Sequence, residues 1–158
     1  MKTLDINKGK SYINFRLGSE NFAIIVSRVL EIFNLVQLTH VPNASDFVKG
    51  ILSFRGAIVP VINLYKRFNF AQPDVESNIV VVVEVLDKDS HVLIGLLVDK
   101  VTDVIEFGYK DIRSVPENGV IYNPEFLEGF IQLNDKFTMV LNVDRVLNVS
   151  ELASVSEV

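Results

Sequence analysis

Residues 47–69 read FVKGILSFRGAIVPVINLYKRFN, and residues 126–148 read FLEGFIQLNDKFTMVLNVDRVLN. The two stretches align without a gap at an offset of 79 residues, half of the 158-residue chain. Upstream, residues 22–29 resemble residues 94–101 at an offset of 72. Identical residues occupy five aligned positions: Phe47/Phe126, Gly50/Gly129, Val61/Val140, Asn63/Asn142 and Asn69/Asn148. The chain is therefore predicted to contain two copies of one folding unit.

Each copy is predicted to open with a β-hairpin. Residues 13–17 alternate between apolar and polar side chains, which is the period of a half-buried strand, and residues 22–26 return. In the second copy residues 79–86 are apolar at nearly every position, so burial on both faces is expected, and residues 92–98 return.

A short helix is predicted next in each copy. In the first, Asn43 is placed to cap it and Gly50 to end it. In the second, Asn123 caps, Pro124 takes the first helical position and Gly129 ends the helix.

A second hairpin follows in each copy, with turn residues that tolerate a positive φ. Its predicted parts are residues 50–54 and 57–64 joined by Arg55-Gly56, and residues 129–133 and 136–143 joined by Asn134-Asp135. The chain holds 39 valines and isoleucines against 16 leucines and five alanines, which favours strands over helices. About five short strands per copy predict a mainly β chain of two small curled sheets or barrels.

The composition excludes several classes of protein. Fifteen basic against 20 acidic residues leave no basic footprint for nucleic acid. Cysteine is absent, which excludes disulfides and cysteine-bound zinc, and only His40 and His91 could supply imidazole. No apolar run approaches the roughly 20 residues of a membrane helix. Without a nucleophile elbow or a phosphate-binding loop, no catalytic residue, metal or cofactor is predicted.

The two copies differ at one turn. Arg55-Gly56 stands where the second copy has Asn134-Asp135, and Pro60 stands where it has Met139. Proline cannot donate to a sheet ladder, so Pro60 predicts an edge strand or a bulge. An apolar edge beside a fixed arginine is suited to docking, whereas the alternative is that Arg55 makes a structural hydrogen bond in its turn. Spacing alone leaves both interpretations open.

The stretch from Gly50 to Leu64, GILSFRGAIVPVINL, resembles the signature of CheW-type chemotaxis coupling proteins, roughly G-x-x-N-L-R-G-x-I-V-P-V-I-D-L. Residues 28–32, 95–101 and 112–116 are similar to further family segments, and the resemblance extends over residues 11–152. Two departures stand out: Ser53-Phe54 replaces the usual Asn-Leu, and Asn63 replaces the usual Asp.

The resemblance implies an all-β, CheW-like fold of two five-stranded SH3-like or OB-like barrels in tandem. The single domain would span residues 11–152, with subdomains at about 11–71 and 79–143. Residues 144–155 would form a C-terminal helix that packs back, although Ser150 could instead cap a separate last turn.

The resemblance also implies a non-enzymatic adaptor. It would couple the cytoplasmic tip of methyl-accepting chemotaxis receptors to the CheW-like regulatory domain of the histidine kinase CheA. It would be cytoplasmic and recruited to membrane-associated receptor arrays, without inserting into the membrane or binding nucleic acid. The alternative is a divergent auxiliary coupling protein or a CheW-like regulatory module in another kinase pathway. A double-barrel hydrolase would need a cleft with paired acids, for which the sequence has no matching spacing.

Binding residues are carried over by position. Arg55 is the expected polar anchor with Glu31 as its ion-pair partner, and a lysine would not reproduce the rigid arginine fork. For Val80 and Val98 a core position is favoured over a contact. The full set implied for receptor or kinase binding is Arg55, Gly56, Val29, Glu31, Gly50, Ile58, Val59, Pro60, Val80, Val98 and Val101.

Overall fold

A computed structural model describes residues 10–34, 36–69, 79–87, 89–114, 124–133 and 135–146. Over these residues the chain is built from strands, one short α-helix, α1 (Leu64–Phe68), and 3-10 turns at Val26–Arg28, Tyr109–Asp111, Pro124–Phe126 and Val143–Arg145. No helix in these ranges has the length and apolar character needed to cross a membrane. The strands are β1 (Lys10–Leu17), β2 (Glu20–Ile25), β3 (Val29–Phe33), β4 (Val48–Phe54), β5 (Ala57–Asn63), β6 (Ile79–Asp87), β7 (Ser90–Val98), β8 (Lys100–Phe107), β9 (Leu127–Leu133) and β10 (Lys136–Leu141).

The strands form two five-stranded sheets, which confirms the predicted fold class. Sheet I has the order β8-β1-β2-β10-β9, and sheet II has the order β3-β6-β7-β5-β4. Exchanging each strand for the one five places away converts one order into the other. The two copies of the sequence are thus related by a pseudo-two-fold operation.

The sheets do not follow the predicted subdomain boundaries of 11–71 and 79–143. The β1–β2 hairpin of the first copy joins β8, β9 and β10 of the second, and β6–β7 joins β3, β4 and β5. Parallel pairing makes these joins, between β2 and β10 and between β5 and β7. The tandem arrangement is therefore corrected: the copies exchange their first hairpins, and each sheet contains both halves of the chain.

Each sheet closes on itself through a short bridge. In sheet II, Thr39, which follows β3, exchanges backbone hydrogen bonds of 3.0 and 2.8 Å with Ile51 of β4. In sheet I, Arg113, which follows β8, does the same with Phe130 of β9 at 2.8 and 2.9 Å. Since β3 and β4, like β8 and β9, are the two edges of their sheet, each bridge joins the edges into a small barrel. We call them barrel I and barrel II.

The repeated glycines permit this closure. A Cβ atom on Gly50 would lie 2.7 Å from the carbonyl oxygen of Thr39. A Cβ on Gly129, whose φ is 157°, would overlap the carbonyl oxygen of Arg113 and lie 2.7 Å from a methyl of Ile112. Close backbone approach therefore explains why glycine occupies the same place in both copies.

This role corrects the predicted helices. Turns at residues 42–43 and 46–47 stand where the first helix was predicted, and Gly50 lies within β4 instead of ending a helix. In the second copy Pro124–Phe126 is a single 3-10 turn, and Gly129 lies within β9. Asn123, residues 72–78 between the two predicted subdomains, and most of the C-terminal helix predicted at 144–155 lie outside the described residues, although Val143–Arg145 adopts a 3-10 turn.

The residues that the structure describes form three apolar clusters. A shared core lies between the barrels. In it the ring of Phe22 stacks on those of Phe15 and Phe68, at centroid distances of 5.6 and 5.3 Å. Each barrel has a smaller interior cluster, around Val59 and Val80 in barrel II and around Tyr12 and Ile131 in barrel I. Every strand face that points between the sheets thus contributes to the shared core.

Arg67 marks the junction of the two copies. Its guanidinium lies 5.0 Å from the ring centre of Phe47 and 4.8 Å from that of Phe126, the first identical pair of the repeat. Its Nε donates to the carbonyl oxygen of Val146, which is 79 residues further along the chain, at 2.6 Å. Cation–π contacts with two rings and a backbone acceptor account for a half-buried cation at this junction.

Candidate functional site

The Arg55-Gly56 turn joins β4 to β5 with two residues. Phe54 pairs with Ala57, and the turn residues between them have φ values of 51° for Arg55 and 78° for Gly56. Two successive positive φ values are typical of the type I′ hairpin turn, which favours Asn, Asp or Gly. Gly56 meets this requirement at no steric cost, whereas Arg55 adopts a conformation that most side chains avoid.

The Arg55 side chain extends over its neighbour. Its guanidinium carbon lies 4.7 Å from the ring centre of buried Phe54. The predicted ion pair with Glu31 is not formed among the described residues. The Glu31 carboxylate instead accepts a hydrogen bond from the backbone N–H of Ile32 at 3.3 Å. The donors of Arg55 therefore remain on the surface, held above an aromatic ring.

β5 is exposed only at its beginning. Ile58 is 67% exposed, whereas Val59 and Pro60 are buried. The strand lies inside sheet II and not at its edge, which corrects the prediction made from Pro60. Its parallel pairing with β7 starts at Val61, so the missing N–H of Pro60 falls just outside that ladder. The edge character predicted for the whole strand is confined to its first residues.

Apolar side chains also lie at the surface ends of the shared core on β3 and on β8, which are edge strands of the two sheets and counterparts in the repeat. Val29 and Ile32 of β3 and Val101 of β8 are half-buried and pack against the shared core. Val104 of β8 is 63% exposed and pairs with Ile13 of that core. Offsets of 72 relate Val29 to Val101 and Ile32 to Val104. We call these four side chains the core margin.

Val104 and Ile32 were missed from the sequence. Both belong to alternating strands in which any valine or isoleucine fits a core position. The offset of 72 could have identified them, because it relates Ile32 to Val104 just as it relates the predicted residues Val29 and Val101. Each missed residue lies three positions after a predicted one.

Five residues of the predicted set lie inside the protein: Gly50, Val59, Pro60, Val80 and Val98. Val59 and Val80 are fully buried in the interior of barrel II, and Val98 is fully buried in the shared core. Gly50 is buried at the closing bridge. A side chain without exposed surface contributes packing, so these positions support the fold and leave the surface to Glu31, Arg55, Gly56, Ile58 and the core margin.

Asn63, where the family signature has Asp, caps helix α1. Its Oδ1 accepts hydrogen bonds from the backbone N–H groups of Tyr65 and Lys66, at 3.0 and 3.4 Å. Its own N–H donates to the carbonyl oxygen of Phe47 at 2.7 Å. A carboxylate could accept the same two bonds, so this departure conserves the capping role. The other departure places Ser53 on the surface and Phe54 in the interior of barrel II.

Replacing Asn63 by alanine is expected to lower the free energy of unfolding by about 1–2 kcal/mol, because two backbone donors lose their acceptor. Asp at this position should leave the stability near that of the original chain. Urea unfolding followed by circular dichroism measures both effects. Asn142→Ala is the matched control, since the Asn142 side chain makes no capping bond. Equal losses at Asn63 and Asn142 would contradict the capping argument.

Comparison with known proteins agrees with this architecture. The family model for the CheW-like domain matches residues 11–151. The chemotaxis protein CheW of Klebsiella aerogenes is 35% identical over 150 residues, which cover 95% of this chain and 89% of that protein. The chemotaxis protein CheW of Bacillus subtilis is 26% identical over 148 residues and 92% of each chain.

A solved structure has the same fold. The scaffolding protein TtCheW from Thermoanaerobacter tengcongensis superposes with a TM-score of 0.80 at 28% identity, over 90% of both chains. With a family model that covers nearly the whole sequence and two barrels that match a solved relative, this chain belongs to the CheW-like family.

Proposed function

We propose that the chain is a chemotaxis coupling adaptor that links the cytoplasmic tip of a methyl-accepting receptor to the histidine kinase CheA. It would act by binding alone, in the cytoplasm, as a member of receptor arrays. For a member of the CheW-like family, the conformation and exposure of Arg55 are the observation that carries this proposal. An arginine at a left-handed turn position, with its donors at the surface, is better explained by recognition than by folding.

The second copy supports this argument. At the corresponding turn it has Asn134-Asp135, which are residue types that favour positive φ, and Asp135 has a φ of 42°. A two-residue turn between the paired residues Leu133 and Lys136 thus occurs without arginine in the same molecule. Arginine also presents a planar fork of donors that suits carboxylates and helix-end carbonyl groups on a partner.

The core margin is the surface we assign to the receptor. Its four apolar side chains lie beside polar Glu31, Thr102 and Asp103 on the same two strands. An apolar strip with a polar border is the usual anatomy of a protein interface, and it suits the apolar ridge of a helical hairpin. Val29, Ile32, Val101 and Val104 supply the strip, and Glu31 fixes the register.

Ile58 and the start of β5 are the surface we assign to the kinase. An isoleucine with two thirds of its area exposed lies next to Arg55 and Gly56 at the end of barrel II. The first residues of β5 lack a partner on the β7 side, so backbone groups as well as the side chain are available for docking. A regulatory domain of the same fold would offer a comparable barrel end.

A titration with two probes tests these assignments. The probes are a soluble cytoplasmic fragment of a chemoreceptor and the CheW-like regulatory domain of CheA. Val104→Glu is expected to weaken receptor binding at least about tenfold and to spare the kinase domain, because it places a charge in an apolar contact. Ile58→Glu is expected to have the reverse effect.

Phe137→Glu is the control, because Phe137 is the exposed repeat counterpart of Ile58 and lies outside both surfaces. Circular dichroism on each variant separates lost binding from lost folding. If the original chain binds neither probe, the proposed function is wrong. If Val104→Glu weakens the kinase domain and not the receptor fragment, the assignment of surfaces is wrong.

A further inference from the structure

Two hydrogen-bonded junctions tie the barrels together at places related by the pseudo-two-fold. Arg28 lies between β2 and β3, where the chain passes from barrel I to barrel II. Asp99 lies between β7 and β8, where the chain passes back. The strand that follows each crossing is an edge strand carrying half of the core margin.

The first junction is built on an ion pair. The Nη1 and Nη2 atoms of Arg28 donate to the Oδ1 and Oδ2 atoms of Asp144 at 2.9 and 2.7 Å. Nη1 also donates to the carbonyl oxygen of Glu84 at 3.0 Å, and Asp144 Oδ1 accepts from the N–H of Leu86 at 2.8 Å. Val83 pairs with Val29 at the start of β3, so the ion pair satisfies the part of β6 that β3 does not reach.

The second junction satisfies the equivalent backbone groups with different side chains. Asp99 donates its N–H to the carbonyl oxygen of Arg16 at 3.0 Å, and its Oδ2 accepts from the N–H of Gly18 at 2.6 Å. The hydroxyl of Tyr65 donates to the same carboxylate oxygen. Phe15 pairs with Val101, so Arg16 and Gly18 follow that pair as Glu84 and Leu86 follow Val83.

The polarity of the two junctions is reversed. The carboxylate comes from the turn after β10 in the first junction and from the strand crossing in the second. Tyr65 and Asp144 are 79 residues apart and occupy equivalent positions of the repeat. Burial and the Asp99 carboxylate raise the pKa of Tyr65, which keeps its phenol protonated as a donor. Different side chains thus make a hydrogen-bonded contact at equivalent places in the two halves. This indicates that the start of each edge strand has to be held in place.

We infer that the two junctions are positioning devices for the core margin. The Arg28–Asp144 pair fixes the start of β3 with Val29, and the Tyr65–Asp99 pair fixes the start of β8 with Val101. This inference rests on the proposed receptor role of the core margin.

The side chains of Arg28 and Asp144 are 23% and 35% exposed, so dissolved salt weakens their attraction in part. The Tyr65–Asp99 contact contains one charge and resists salt. The β3 side of the margin is thus adjustable by ionic strength, whereas the β8 side is fixed.

Amide hydrogen exchange measured residue by residue tests the inference. Arg28→Met should speed exchange in β3 about tenfold and leave β8 unchanged, because the local opening of β3 loses its tie. Tyr65→Phe should speed exchange in β8 and leave β3 unchanged. Lys100→Met is the matched control, since Lys100 is the repeat counterpart of Arg28 and forms no ion pair among the described residues. In the unmutated chain, raising sodium chloride from about 0.05 to about 1 M should speed amide exchange in β3 and leave exchange in β8 unchanged.

Affinity for the receptor fragment gives the second measurement. Arg28→Met should weaken it about three- to tenfold with no change for the kinase domain. Unchanged exchange in β3, both in the variant and across the salt series, would overturn the inference. Faster exchange with unchanged receptor affinity would overturn it as well. Failure of the unmutated chain to bind the receptor fragment would refute the proposed function, while the exchange measurements would still decide the role of the junctions.

Discussion

Replacing Gly129 by alanine is expected to lower the free energy of unfolding by about 3 kcal/mol or more. The new methyl would overlap the carbonyl oxygen of Arg113. The backbone at residue 129 also has a φ of 157°, which disfavours any residue with a Cβ. The bridge that closes barrel I would have to open. Chemical unfolding of the purified variant measures the loss.

Alanine substitutions at two other glycines give stability changes with which this loss can be compared. Gly50→Ala should cost about 1–2 kcal/mol, because its Cβ would crowd the carbonyl oxygen of Thr39 without requiring an unusual φ. Gly108→Ala should change stability by less than about 0.5 kcal/mol, since its nearest neighbour would be the Asp111 carboxylate at 3.9 Å. If Gly129→Ala were as stable as Gly108→Ala, the closure of barrel I would not depend on this glycine.

Replacing Arg55 by asparagine is expected to change stability and binding in opposite directions. Asparagine is the residue found at this turn position in the second copy, and it tolerates a positive φ better than arginine. The free energy of unfolding should rise by about 0.5–1 kcal/mol. Assembly with receptor and kinase should weaken by at least about tenfold, because arginine anchors commonly carry a large share of interface energy.

The opposed signs distinguish the two interpretations that the sequence leaves open. A structural arginine would give a less stable variant, whereas a recognition arginine gives a stable one that no longer assembles. Arg55→Lys is the companion variant, which keeps the charge and removes the fork, and it should recover only part of the binding. Normal pull-down of both probes by Arg55→Asn would show that Arg55 serves the turn alone.

Local features of the fold were predictable from the sequence, and distant pairings were not. The four hairpins follow from alternation and turn residues, both of which act over a few positions. The parallel contacts of β2 with β10 and of β5 with β7 join segments that no local signal relates. The repeat predicted two equivalent units correctly, but duplication does not specify which hairpin completes which sheet.

Glycine and asparagine were misassigned for a physical reason. Gly50 serves close backbone approach, yet in sequence it resembles a glycine that ends a helix, and Asn43 has a φ of 64° in a turn instead of capping a helix. For the site, the Arg55 turn was identifiable because two copies could be compared. The exposure of Val104 and the burial of Val80 were not, since valine satisfies a strand on either face.

The exchange of hairpins has a consequence for biosynthesis. A ribosome that has released residues 10–69 has delivered β1 to β5 and completed neither sheet. The emerging half must remain unfinished until β6 and β7 add to one sheet and β8 to β10 complete the other. Long-range pairing of this kind slows folding and leaves strand edges unprotected in the meantime. Cutting the chain between its copies should therefore give two fragments that are insoluble alone and recover structure only when mixed.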